Sequence, residues 1–243
     1  MKVIKELKGH SGSQVLLMRD QNTFVRKIGN VDRNLERYIA LSNTGLNFPS
    51  IFRHDNNSYD MEYIQNLDIK TFLFKNQTHS LAAFIIETIN KLSLNSIDKD
   101  YSEVYEQKLE DINFNGLVFN KEELITQLPK ILPCSQYHGD FTLENILYDV
   151  SAGRFVLIDP LTSVYDSYVF DLAKLRQDIS CKWFIRNSQL YIDPKLKNLS
   201  NDLSHFKYYA DDNLLILMLL RILPYAQNQD KEFIINEANK LWK

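Results

Sequence analysis

The sequence predicts an α+β fold, with a small β-rich amino-terminal part leading into a larger, mainly helical one. Three observations carry this. Short runs of β-branched and apolar residues, separated by turn residues, fill the first sixty-five positions. From Thr71 onward apolar residues recur at helical spacing. One further β signal interrupts that helical half, and it holds the side chains best suited to chemistry.

Taken in order, Gln14–Met18 and Thr23–Ile28 read as strands joined by the turn Asp20-Gln21-Asn22. Asp32 is expected to cap a helix in which Leu35, Ile39 and Ala40 share a face, ending near Asn43-Thr44-Gly45. Tyr59–Ile64 is a third strand after the Asn56-Asn57 turn. Leu81–Leu92 is strongly helical, with Phe84, Ile85, Ile89 and Leu92 near one face. Ser93–Pro133 is polar and helical in places. Ile146–Tyr148 and Phe155–Ile158 are short apolar strands, and the Asp149–Arg154 connection has the Asp, Ser and Gly of a hairpin turn. Leu214–Leu220 is too short to span a bilayer and stops at Pro224, so it reads as a buried helix.

Composition narrows the function classes. The chain has 243 residues, 44% hydrophobic and 24% charged, enough for a sizeable core. A net charge of -3 argues against a nucleic-acid partner. Met1–Lys8 alternates apolar and charged residues and lacks the apolar stretch of a signal peptide. Cys134 and Cys181 have neither metal-ligand spacing nor a disulfide framework, which points to a reducing, cytoplasmic setting. The shortness of the longest apolar run, Leu214–Leu220, gives the expectation of no membrane partner. Nothing fixes the oligomeric state. The expected division is 1–65 and 66–243.

The central stretch runs Tyr137-His138-Gly139-Asp140-Phe141-Thr142-Leu143-Glu144-Asn145, with Ile158-Asp159-Pro160 after the hairpin. In an antiparallel hairpin the entrance of the first strand lies beside the exit of the second. Asn145 and Asp159 should therefore meet at one open end, with Asp140 just upstream. Two oxygen donors there suit a hard cation carrying substrate phosphates. A nearby carboxylate can take a proton from an attacking hydroxyl. An Asp base, four intervening residues, a metal-binding Asn and then a metal-binding Asp is the spacing of phosphoryl-transfer sites. Fixing His, Gly, Asp and Asn by chance has a probability on the order of 10⁻⁵ per starting point.

His-Gly-Asp-x4-Asn followed by Ile-Asp-Pro resembles the aminoglycoside phosphotransferase and choline kinase superfamily, in which Gly replaces the Arg of the protein-kinase His-Arg-Asp motif. The resemblance implies a bilobal protein-kinase-like fold: a 1–65 nucleotide-binding lobe and a 66–243 catalytic and acceptor-binding lobe. It also implies ATP and Mg2+ as cofactors and a small-molecule hydroxyl acceptor. Asp140 is then the catalytic base, Asn145 and Asp159 hold the metal, and His138 is a scaffold residue. Tyr165–Ala173 resembles the family's Asp-Leu-Ala helix start, with Asp171 bracing the catalytic loop.

On the same resemblance the β-rich part supplies the nucleotide contacts. Gly9-His10-Ser11-Gly12-Ser13 would let backbone amides approach the phosphates, with Ser11 and Gly12 at its centre. Val25 and Lys27 share a strand face, so Val25 could roof the adenine while Lys27 reaches the phosphates. Arg26, on the opposite face, is the rival for the phosphates. Glu36 is the expected ion-pair partner of Lys27. Met61-Glu62-Tyr63-Ile64 resembles the strand into the kinase hinge, where the backbone of Glu62 and Ile64 would bond the adenine edge and Met61 would back the pocket.

The acceptor is less specified. Asp202, Asp211 and Asp212 surround Phe206, Tyr208 and Tyr209, which could bind an amine, an aminoglycoside-like sugar or a quaternary ammonium group; a helix start with a solvated acidic turn explains the same residues, and a sugar or amino alcohol of modest size is the expected acceptor. Two rival functions remain. A protein kinase is disfavoured by the short segment between Asp159 and Asp171, and a silent nucleotide-binding module by the presence of Lys27, Asp140, Asn145 and Asp159 together.

Overall fold

A computed structural model describes residues 1–7 and 13–243. The chain begins with β1 (Lys2–Leu7), β2 (Gln14–Arg19), β3 (Thr23–Ile28), α1 (Asp32–Leu41), β4 (Ile51–His54), β5 (Ser58–Glu62), β6 (Asn66–Leu67) and α2 (Ile69–Lys75). It continues through α3 (His79–Ser93), β7 (Ile97–Asp100), α4 (Ser102–Leu109), α5 (Lys121–Gln127), β8 (Ile131–Cys134), β9 (Ile146–Asp149) and β10 (Arg154–Leu157). It ends with α6 (Tyr168–Ser180), α7 (Asp193–Leu203), α8 (Asp212–Leu220) and α9 (Asn228–Leu241). The predicted α+β class holds, with strands concentrated early and helices late.

Two compact units divide these elements: Met1–Lys75 with Glu144–Thr162, and Asn76–Leu143 with Ser163–Lys243. In the first, β1-β2-β3-β5-β4 form an antiparallel five-stranded sheet among the described residues. Strand β3 is central, and its side chains alternate as a period of two requires: Val25 and Lys27 are buried on one face and Arg26 lies on the other. Val25 pairs with Met61 and Lys27 with Tyr59 across β5. Leu17, Val25, Val31, Tyr38, Tyr59 and Met61 form the core beneath this face. The β9–β10 hairpin belongs to the same unit and pairs with β6 through Asn66↔Asp149 and Leu67↔Tyr148. Asp149 closes its turn by accepting hydrogen bonds from Ser151 N (2.9 Å), Ser151 Oγ (2.6 Å) and Ala152 N (3.2 Å). Gly153 follows at φ +63°, which a residue with a Cβ rarely adopts.

Helix α1 differs from the sequence expectation. Its cap residue is Val31, and Asp32 lies in the first turn, where its charge suits the positive end of the helix dipole. The buried face is Asn34, Arg37, Tyr38 and Leu41, at helical spacing, whereas Ile39 is 66% exposed. That face mixes the polar Asn34 and Arg37 with Tyr38 and Leu41, and Asn34 and Tyr38 bond the chain around Asp159. Strands β1, β4, β6, β7 and β8 were not predicted. Each is very short or largely exposed, so none buries the alternating apolar set that betrays a strand in sequence.

In the second unit α8 is the axis. Leu214–Leu220 is buried on every side, as the apolar run predicted, and packs with α4, α5, α6 and α9 residues in one core. Ser167 caps α6 by accepting from Val169 N (3.1 Å). Asp166 accepts from Lys99 (2.7 and 2.8 Å) and Tyr101 Oη (2.8 Å), which ties β7 to the start of α6.

Candidate active site

The first unit gathers Lys27, Asn145 and Asp159. Asn145 enters β9 and Asp159 lies just past the exit of β10, and the backbone bond from Ile158 N to Asn145 O (3.0 Å) fixes the two at one end of the hairpin. Lys27, 1% exposed, donates to Asp159 Oδ1 at 2.9 Å. Asp159 has φ +54°, in the left-handed region that non-glycine residues seldom occupy. Surrounding groups hold it there: its amide donates to Tyr38 Oη (3.3 Å), and Asn34 Nδ2 donates to the next carbonyl, Pro160 O (2.8 Å). A strained acid held this firmly is a feature of functional sites. The Tyr38 phenol is itself pushed far up by burial and by the Asp159 charge, so it stays a neutral donor and acceptor.

The second unit holds Asp140 on a loop clamped from α6. Asp171, fully buried, accepts from the amides of His138, Gly139 (2.9 Å) and Phe141 (3.4 Å). Gly139 has φ +87°, which explains why glycine precedes Asp140. Lys174, one turn along α6 from Asp171, donates to Gly139 O and lies 3.9 Å from Asp140 Oδ1. Asp178, a further turn along, accepts from Leu143 N (2.7 Å). Three residues at helical spacing thus fix the backbone around Asp140. Burial drives the Asp171 carboxyl up to about 6, although Lys174 and the three amides pull the other way.

No protein-family model and no curated protein sequence matches the chain. Solved structures do match it in three dimensions. One is the aminoglycoside phosphotransferase APH(4)-Ia, at a TM-score of 0.64 and 10% identity, covering 98% of this chain and 92% of that one. Another is the choline kinase LicA from Streptococcus pneumoniae, at a TM-score of 0.58 and 16% identity, covering 99% and 92%. LicA has also been solved with AMP, at a TM-score of 0.55 and 15% identity, covering 99% and 93%. A glucosamine kinase in complex with glucosamine, ADP and inorganic phosphate matches at a TM-score of 0.54 and 12% identity, covering 98% and 76%. The chain has the protein-kinase-like fold.

Within that fold the sequence-predicted residues fall as follows. Lys27 meets Asp159, and Val25 and Met61 face each other beneath the same side of the sheet. Arg26, the rival to Lys27, is committed elsewhere: it grips the buried Asp60 through two bonds of 2.6 and 2.7 Å. Glu36 accepts from Thr162 Oγ1 (3.1 Å) and makes no ion pair with Lys27. Its position on α1 lies off the buried Asn34–Tyr38 face, so the expected Lys27–Glu36 pair is replaced by Lys27–Asp159. The Glu62 amide is taken by Ser50 O (2.9 Å), whereas the Ile64 amide has no backbone acceptor among the described residues. Ser11 and Gly12 lie outside the described residues.

Asp211 caps α8 through Leu214 N (3.0 Å), and Asp212 pairs with Arg176 (2.6 Å) and Lys243 (2.8 Å). Those two acids follow the helix-start explanation and are spent within the protein. Sequence reasoning passed over Asn34, Tyr38, Lys174 and Asp178. Only Lys174 and Asp178 left a signal, as polar residues recurring on the Asp171 face of a helix.

Proposed function

We propose that the chain is an ATP- and magnesium-dependent phosphotransferase that moves the γ-phosphoryl group to a hydroxyl of a small molecule. The observation that carries this reading is the buried Lys27 held 2.9 Å from Asp159, with Asn145 at the same hairpin end. An amide oxygen and a half-exposed carboxylate are donors that a small hard cation accepts, the remaining positions going to water and phosphate oxygens. The donor chemistry therefore fits magnesium, although the described residues contain no cluster of three or more His, Cys, Asp or Glu side chains. Bound there, the ion would neutralise charge on the β and γ oxygens.

The protein's own groups supply the rest. Lys27 binds α and β phosphate oxygens, and Val25, Met61 and the backbone at Ile64 receive the adenine. Asp140, immobilised by Asp171 and Lys174, takes the proton of the acceptor hydroxyl as that oxygen attacks phosphorus. The bond from phosphorus to the bridging oxygen breaks as the new phosphorus–oxygen bond forms, and ADP departs. The kinase reading is supported by neighbours named as kinases of choline and glucosamine and solved with AMP or ADP. No helix among the described residues is long and apolar enough to cross a membrane.

The test is direct. ATP with magnesium should raise the melting temperature of the full chain, and neither alone should do so as strongly. A panel of sugars, hydroxy acids and amino alcohols should then release ADP above background. Absence of both responses would discard the reading.

A further inference from the structure

We propose that Arg221 and Tyr165 form an anion-binding subsite beside Asp140, so that the acceptor hydroxyl belongs to a molecule carrying a carboxylate or phosphate group. This rests on the phosphotransferase reading and assigns its acceptor class. All three residues lie in the second unit. Arg221 ends α8 and approaches Asp140 Oδ1 at 3.8 Å, beyond hydrogen-bond range. Its guanidinium has five N–H donors and makes no hydrogen bond among the described residues; Nε is buried with no acceptor. Its side chain is 28% exposed, so part of it remains open to a ligand.

Tyr165 supplies the second, independent observation. The residue is 6% exposed, and its hydroxyl is buried without a partner. The Arg221 charge acts on that hydroxyl, opposing the upward push of burial, so the two unsatisfied groups share one neighbourhood. Buried donors left unmade are costly, and Arg221 carries one on the side chain that reaches to 3.8 Å from the Asp140 carboxylate.

The charges around the base point the same way. Asp171 and Asp140 are flanked by Lys174, which is buried and bonded to Gly139 O. Arg221 is a second cation at the base, and its guanidinium makes no hydrogen bond among the described residues. Two of the three acids that could have drawn an amine are occupied: Asp211 caps α8, and Asp212 holds Arg176 and Lys243. A planar guanidinium with its fork unspent matches a carboxylate or phosphate in two parallel bonds. A cation at a helix C-terminus is favoured by the dipole alone, which is the competing explanation for Arg221.

Two matched acceptor sets separate these explanations: glycerol, glycerate, glycerol phosphate and serinol, then glucose, gluconate, glucose phosphate and glucosamine. ADP release with ATP and magnesium should favour an anionic member by about tenfold or more in kcat/KM. Which member leads distinguishes carboxylate from phosphate. Arg221→Gln should erase that preference through the acceptor KM, with the KM for ATP changed less than about twofold. Arg221→Lys should restore part of it, and Tyr165→Phe should weaken it. If a neutral or amine member leads, or the preference survives Arg221→Gln, the subsite is refuted while the phosphotransferase reading stands. If nothing is phosphorylated, melting shifts without nucleotide decide. An anion-induced shift lost in Arg221→Gln but kept in Asp140→Asn supports the subsite, and no such shift refutes it; the phosphotransferase reading then stands or falls with the ATP and magnesium melting shift.

Discussion

Lys27 and Asp159 are separated by 132 positions in sequence and meet at 2.9 Å, the lysine side chain 2% exposed and the aspartate 36%. Among the described residues Asp159 is the one acceptor Lys27 has. Deleting that carboxylate strands a buried ammonium group. Asp159→Ala should therefore abolish magnesium-dependent ATP turnover and also lower stability by about 2 kcal/mol, between the values for exposed and buried pairs. Lys27→Met in the Asp159→Ala background should recover part of that loss. A denaturant-based double-mutant cycle measures the coupling, and additivity of the two changes would show that the pair is not an interacting unit.

The neighbouring residues Arg26 and Lys27 should separate stability from chemistry. Arg26 saturates the carboxylate of Asp60, whose side chain is 2% exposed, and Arg53 stands farther off at 3.8 Å. Arg26→Ala leaves a buried acid poorly compensated and should cost about 3 kcal/mol, with turnover per folded molecule little changed. Arg26→Lys should recover little, since one ammonium cannot reproduce two parallel bonds. Lys27→Ala should instead reduce kcat/KM by about 10²-fold or more. The reverse pattern would exchange their roles.

How far the sequence revealed this arrangement depends on the range of the interaction. The Asp140-to-Asn145 spacing, the β9–β10 turn and the strand alternation of Val25, Arg26 and Lys27 are local, and all were legible. The partner of Lys27 was not, because choosing between Glu36 and Asp159 depends on how α1 is rotated. Half of the buried face of α1 is Asn34 and Arg37, polar residues that a hydrophobic-periodicity reading discounts. The β6–β9 pairing was equally hidden, since a two-residue strand carries no period.

Asp171 gives the pH dependence. Its carboxyl has an ordinary value of 3.8 and is pushed up to about 6 in the folded chain, chiefly by burial. Folding therefore binds a proton between those values, and the contribution of this group to stability falls as pH rises from about 4 to 6. The slope is at most about 1.4 kcal/mol per pH unit. Asp171→Asn has no such slope. Its stability deficit against the parent should be largest near pH 4 and shrink toward pH 7. Melting curves of both proteins across that range test this, and a deficit that widens with pH would contradict the assigned shift.

Asp140 separates chemistry from binding. The loop that carries it is fixed through backbone groups, by Asp171 on three amides, Lys174 on Gly139 O and Asp178 on Leu143 N. The Asp140 side chain faces cations at 3.8 and 3.9 Å without replacing any of those contacts. Asp140→Asn should therefore leave the loop standing and keep the side-chain shape while removing the proton acceptor. General-base and orienting roles are commonly worth ~10²–10⁴-fold in rate, so kcat should fall by about that factor. The ATP dissociation constant should stay within a few-fold, because nucleotide contacts are assigned to the first unit. Calorimetry and ADP release on one preparation give both numbers. Turnover near the parent value would exclude Asp140 as the base. Collapse of ATP binding together with turnover would make Asp140 a structural or metal-holding residue, and return the silent nucleotide-binding module as the better reading.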